Sequence, residues 1–265
     1  MFIFGKITGF FFGLLLGGMF GAFIGVLIGH YFDLQLKRTM QELGGKFSAT
    51  LEHTREEFFN ITFEIMGYLS KIDGRVSEQE IHVARSIMNQ LALDDAKRMD
   101  AMDAFSRGKQ SDFILEPRLI ELKKILARAA HLKQLFLEIQ LNIAYAEGFI
   151  STAKQEVIEK ICHTLNVPLF LLRILETRFK AEQNFHHSAN TTPKEDLNDA
   201  FGILGVSKES DHKTVKKAYR KLMNEHHPDK LAAKGLPESM RPIAKEKTQK
   251  IQMAYETICK IKGWN

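Results

Sequence analysis

Three observations predict an all-α chain. No charged residue lies between Lys6 and Asp33, apolar residues recur at helical spacing through the middle, and two basic amphipathic segments flank a His-Pro-Asp tripeptide near the carboxyl end. They predict a single N-terminal transmembrane helix (7–29), a central helical domain (55–182) and a C-terminal domain built on an antiparallel helical hairpin (198–265). A short segment 1–6 precedes the span and a juxtamembrane connector fills 30–54. The polar stretch 183–197, which includes His186 and His187, reads as a flexible linker.

From Ile7 to Ile28 every residue is apolar or glycine except Thr8. At about 1.5 Å per residue this reaches roughly 33 Å as a helix, enough to cross a hydrocarbon core. It exceeds the apolar part of a cleaved signal peptide, and the charged leader is only Lys6 and the amino terminus. Lys37, Arg38 and Lys46 follow the span, so the positive-inside rule places residues 30 onward in the cytoplasm and the amino terminus outside it. Glycine recurs at every fourth position: Gly5, Gly9, Gly13, Gly17, Gly21, Gly25 and Gly29. Small residues at this spacing let two helix backbones meet in lipid, which predicts a homodimer through Gly9, Gly13, Gly17, Gly21 and Gly25. The row drifts by about 40° per step, so a straight pair uses only part of it. The rival explanation is the general glycine richness of membrane helices.

The central domain reads as helices near 58–72, 77–92, 95–107, 117–146, 152–165 and 168–181. A weak internal repeat has an offset of 74 residues. Phe63-Glu64-Ile65 pairs with Leu137-Glu138-Ile139, and Asp73-Gly74-Arg75-Val76-Ser77 pairs with Glu147-Gly148-Phe149-Ile150-Ser151. In each half an apolar helix ends at acid-glycine, and a serine is placed to cap the next helix. This pattern resembles the TerB-like domain, whose helical halves bear acidic residues at such turns. Asp73, Glu78, Glu80, Glu147 and Glu156 are weak candidates for holding a cation, although acids at helix N-termini ordinarily serve the helix dipole. The turn lacks the alternating oxygen ligands of an EF-hand.

Thr214 to His226 places Val215, Ala218, Tyr219 and Leu222 on one stripe, with Lys213, Lys216, Lys217, Arg220 and Lys221 over the remaining surface. Pro228 marks His227 as a helix boundary. Leu231 to Pro237 reads as loop, and a second helix is expected over 239–260 with Ile243, Ile251, Ala254, Tyr255 and Ile258 inward. Ala200 to Val206 gives a short apolar helix closed by Gly205. In order and spacing these stretches resemble the J domain, the module by which DnaJ-type co-chaperones engage Hsp70. The resemblance implies that His227, Pro228 and Asp229 trigger ATP hydrolysis on the Hsp70. It also implies that Lys213, Lys216, Lys217, Arg220, Lys221 and Lys230 dock on an acidic surface of its nucleotide-binding domain. Ala200-Phe201 departs from the paired aromatics of many J domains.

Residues 199–265 carry 14 Lys plus Arg against 8 Asp plus Glu, whereas the whole chain nets only +5, so the basic character belongs to this domain. Nucleic acid is disfavoured as its partner because no aromatic platform, zinc motif or RNP-like strand accompanies the basic helix. His226, His227 and Asp229 lack a fourth ligand for a structural metal. Cys162 and Cys259 sit singly, as expected of a reducing compartment. No arrangement for nucleophilic or phosphate-loop chemistry is present, so the expectation is a protein that is not an enzyme and needs no cofactor.

In their order, span, TerB-like domain and J domain resemble the DjlA family of membrane-anchored DnaJ-like proteins of Gram-negative bacteria. The stretch His226 to Pro237, with its long loop insertion, carries that likeness most closely. The resemblance implies a single-pass, homodimeric inner-membrane protein with a periplasmic amino terminus. It implies a regulatory co-chaperone that recruits DnaK and stimulates its ATPase, with a place in envelope or capsule-related signalling. The alternative is a membrane adaptor whose central domain binds a signalling protein, with the J domain secondary.

Overall fold

The computed structural model describes residues 7, 8, 11, 30, 31, 33–35, 37, 50–127, 129–186 and 193–264. The chain divides into two compact units, 1–53 and 54–265. In the first, the described residues are helical, and Gln35 donates to the Tyr31 hydroxyl at 3.0 Å. The span expected over 7–29 lies almost wholly outside the described residues, and the glycine row lies entirely outside them. Among the described residues no helix is long and apolar enough to cross a membrane.

The second unit contains, among the described residues, helices and no strand. Helix α1 covers 50–71, followed by α2 (Glu78–Gln90), α3 (Asp95–Gly108), α4 (Leu115–Ile125), α5 (Ala130–Ala144), α6 (Thr152–Thr164) and α7 (Leu169–His186). The J-type region adds α8 (Pro193–Leu204), α9 (His212–His226), α10 (Pro228–Ala232), a 3-10 turn (Glu238–Met240) and α11 (Arg241–Lys262).

Helices α1 and α5 are buried on nearly every side, from Phe58 to Leu69 and from Leu132 to Ala144. That pattern belongs to helices enclosed by others. The Phe58 and Phe136 rings meet at 6.4 Å, and Gln140 donates to the Thr62 carbonyl at 3.1 Å, so a polar group buried between the two helices is satisfied. Helix α3 crosses α1 at backbone contact. A Cβ on Gly67 would lie 2.1 Å from the Phe105 carbonyl oxygen, and one on Gly108 would lie 1.8 Å from that of Glu64.

The repeat is visible in the turns. Gly74 and Gly148 take φ of +109° and +84°, a region that L side chains rarely adopt. Ser77 caps α2 in a reciprocal arrangement with Glu80, and Ser151 caps α6. The two turns touch, because the Ser151 hydroxyl donates to Asp73 at 2.8 Å.

Three expectations are corrected. The segment 117–146 is two helices, α4 and α5, separated by a turn at Leu126 that no glycine or proline announces. The linker read over 183–197 is helical at both ends: 183–186 continue α7 and 193–197 begin α8, leaving 187–192 outside the described residues. Loop was expected directly after His227, yet Pro228 starts the short helix α10, since proline suits the first helical position as well as it ends a helix.

Helices α9 and α11 pack side by side under α8, around Phe201, Leu204, Val215, Leu222, Ile251, Ala254 and Ile258. Tyr219 stacks on Tyr255 at 4.3 Å. This J-type hairpin does not stand apart from the central domain. Leu231, Leu236, Met240 and Ala244 are fully buried within the same apolar cluster as α1 and α5. Helix α8 lies along α7, where a Cβ on Gly202 would come within 2.8 Å of the Ala181 methyl.

Gly108→Ala in residues 54–265 is expected to cost about 2 kcal/mol or more, because overpacking strains a backbone that cannot yield. Urea unfolding should show a lower midpoint at unchanged slope. An unaltered midpoint would contradict the α1–α3 contact.

Candidate functional site

The tripeptide sits where α9 meets α10. His227 is extended (φ −61°, ψ 124°) and serves as N-cap of α10, its Nδ1 accepting from the Asp229 backbone N–H at 3.2 Å. The Nδ1 lone pair is thereby used, so Nε2 carries the proton and is the ring's donor. The His227 side chain is 47% exposed and that of Asp229 72%. Asp229 pairs with Arg241 at 2.5 Å, and Arg241 also holds Glu238 at 2.6 Å, which ties the tripeptide to the start of α11. Lys230 donates to Asn224 across the turn.

Lys213, Lys216, Lys217, Arg220 and Lys221 are all exposed on α9, as is Lys230 beyond it. At about 100° per residue the five cations of α9 fall within an arc of about 140°, opposite Val215 and Leu222, which are buried. Among the described residues, Lys221 pairs with Glu225 at 3.8 Å. The geometry therefore brings the six basic residues and the tripeptide onto the solvent side of α9 and α10. It offers an imidazole donor, a carboxylate and a positive strip for a partner of opposite charge.

The weak cation candidates do not converge as a set. Asp73 and Glu80 meet around the ammonium of Lys154, at 3.1 and 2.8 Å, and that side chain is only 4% exposed. Burial opposes the Lys154 charge, but Glu80 and Asp73 outweigh it and raise its pKa. The protein's own cation fills the place between the two acids. Glu78, Glu147 and Glu156 are exposed, and among the described residues no group of three His, Cys, Asp or Glu could hold a metal ion. Cys162 and Cys259 are free, and burial pushes the Cys162 thiol up to about 12.

Sequence reasoning missed a second polar cluster directly behind the tripeptide. His226 is 1% exposed, and its Nε2 lies 3.2 Å from Gln134 on α5. Gln134 also donates to Glu138, whose carboxylate meets Lys247 of α11 at 3.3 Å. Lys247 pairs in addition with the buried Glu182 of α7. Burial would neutralise Lys247 and Glu138, yet each outweighs that effect on the other: the lysine pKa is raised and the glutamate pKa lowered. For His226 burial prevails, and its pKa falls to about 4 despite Glu138. The periodicity of α9 hints only that His226 continues the apolar stripe.

The fold and the exposed tripeptide define a J-domain protein with a TerB-type helical domain before it. Residues 199–262 match the DnaJ domain, 63–169 the tellurite resistance protein TerB, and 1–39 the co-chaperone DjlA transmembrane domain. The chain is 43% identical over 286 aligned positions to the co-chaperone protein DjlA of Vibrio parahaemolyticus, covering all of both chains. It is 44% identical to that of Coxiella burnetii over 79% of each chain, and 39% identical to that of Haemophilus influenzae over 86% of this chain and 88% of the relative. The chain belongs to the DjlA co-chaperone family. No solved structure matches it.

The His226 environment has a consequence for stability. Its folded pKa lies below the ordinary 6.5, so between about 4 and 6.5 the unfolded chain binds the proton that the folded chain refuses. Stability contributed by neutral His226 is present above pH 6.5 and is lost as pH falls toward 4. Arg178 and Glu182 on α7, Glu138 and Gln134 on α5 and Lys247 on α11 set this environment together. Urea midpoints of residues 54–265 should fall across that window, by the equivalent of roughly 3 kcal/mol, and His226→Gln should flatten the slope. A midpoint independent of pH there would contradict the burial.

Proposed function

We propose that this chain is a membrane-anchored regulatory co-chaperone that recruits a DnaK-type Hsp70 and stimulates its ATPase through His227, Pro228 and Asp229. The observation that carries the reading is the exposure of this tripeptide beside an unbroken strip of exposed cations on α9. The cations steer an acidic surface of the Hsp70 onto α9, and the His227 donor and Asp229 carboxylate then engage it at the end of the helix. The chain supplies contacts and no covalent chemistry.

In the same reading the apolar segment 7–29 anchors the protein once in the bacterial inner membrane. The amino terminus is periplasmic and the folded unit is cytoplasmic, where ATP is available. Gly9, Gly13, Gly17, Gly21 and Gly25 pair two copies in the lipid. The same reading gives the protein a place in envelope or capsule-related signalling.

Steady-state ATPase assays with purified DnaK test the proposal. The wild-type chain is expected to accelerate hydrolysis, His227→Gln to leave the unstimulated rate, and added salt to weaken stimulation, since exposed charges are screened over about 8 Å at physiological ionic strength. Full stimulation by His227→Gln would refute the mechanism.

A further inference from the structure

The two halves of the central domain satisfy corresponding buried carboxylates in different ways. Glu64 on α1 is 6% exposed at its side chain and is held inside the domain by Arg107 at 3.0 Å and Arg118 at 2.6 Å. Its repeat counterpart, Glu138 on α5, is also buried, but 74 residues on from those arginines the chain has Ala181 and Thr192. The cation shown pairing with Glu138 is Lys247, from helix α11 of the J domain. That one ammonium also serves Glu182 on α7. A buried carboxylate without a partner is strongly destabilising. The second half of the central domain thus depends on the J domain for its counter-charge.

The same contact brackets the Hsp70-facing tripeptide. His226, immediately before it, is buried against Gln134 of α5. Leu231, two residues after it, is fully buried, and Leu236 of the loop insertion and Met240 of the 3-10 turn follow into the same core. Arg55 of α1 adds a hydrogen bond to the Ala232 carbonyl at 3.4 Å. His227 and Asp229 therefore stand exposed on the crest of a loop seated on the central domain at both ends. The cleft beside Lys247 and Glu138 holds only about 80 Å³, well short of a metabolite pocket.

We propose that Glu138 and Lys247, with Glu182 and His226, form an interdomain latch that positions the His-Pro-Asp loop for Hsp70. Seating the J domain on the central domain orders both ends of the loop in advance, so less freedom is lost when Hsp70 binds. These are positioning residues, because their side chains face inward and the contact surface lies on the opposite side of α9. The loop insertion is the docking element, and the central domain is its partner. The inference rests on the co-chaperone reading above.

Two measurements test it on residues 54–265, a unit with its own core. Backbone amide relaxation reports whether the J domain and the central domain tumble together. The wild type should show one correlation time, Lys247→Met a shorter one for J-domain amides alone, and Lys247→Arg the wild-type value. In DnaK ATPase titrations, Lys247→Met should raise the concentration for half-maximal stimulation about tenfold, equivalent to about 1.4 kcal/mol, with the saturating rate unchanged. Glu138→Gln, which is isosteric, should act in the same direction and replaces Lys247→Met if that variant fails to fold. Uniform tumbling of both variants with unshifted titrations would overturn the latch. Relaxation is recorded without Hsp70, so a wild-type chain that never stimulates the ATPase would contradict the co-chaperone reading separately.

Discussion

The pairing of Lys247 with Glu138 and Glu182 is the constraint on which the arrangement of the unit 54–265 depends. Three charged side chains lie about a tenth exposed or less. In surroundings of low polarity such a group is tolerable only as a complete set, and removing one partner commonly costs about 3–5 kcal/mol. The J domain's own apolar cluster is small, centred on Phe201, Val215, Leu222, Ile251 and Ile258. A domain of that size benefits from the further burial of Leu231, Leu236, Met240 and Ala244 against the central core. Apolar contact supplies area, and the buried charges supply register. A hydrophobic face can slide, whereas a lysine between two carboxylates fits one position.

The remaining features follow from this seating. Helix α5 is enclosed on nearly every side and so presents Glu138 and Gln134 to helices that pack directly on it. Helix α9 meets that requirement with His226, whose neutral ring fits where a charged one would not. With His226 and Leu222 turned inward, helical periodicity sends the five α9 cations outward. The turn from α9 into α10 then leaves His227 and Asp229 at the surface. Arg241 fixes the carboxylate from the start of the same helix that carries Lys247. The outward-facing surface and the inward latch are two sides of one short stretch of chain.

Much of this was legible in the sequence. The tripeptide, the basic strip and the apolar stripe of α9 obey local rules of spacing, so their placement could be read directly. The capping serines Ser77 and Ser151 and the left-handed Gly74 and Gly148 were likewise local. The close approach of α1 and α3 was not, because Gly67 and Gly108 resemble any helical glycines until their neighbours are known. Long-range charge pairing was equally hidden. Lys154 and Lys247 carry no local signal of burial, and nothing nearby in sequence announces that Glu80 or Glu138 will enclose them. The 183–197 segment looked like a tether because its polar composition lacks a stripe, yet its ends complete α7 and α8. Packing of α8 along α7, through Gly202 against Ala181, gives those ends a fold that composition does not show.

With this latch closed, the J domain and the central domain form one cooperative structure. Trp264, the single tryptophan, stacks on His212 in the J domain at 5.1 Å and reports on that domain alone. Far-UV circular dichroism of residues 54–265 reports on helices of both. Urea unfolding followed by the two signals should give coincident midpoints and slopes, the mark of a single transition. Loss of the tryptophan signal in a separate transition, with the remaining helical signal melting independently, would contradict the account.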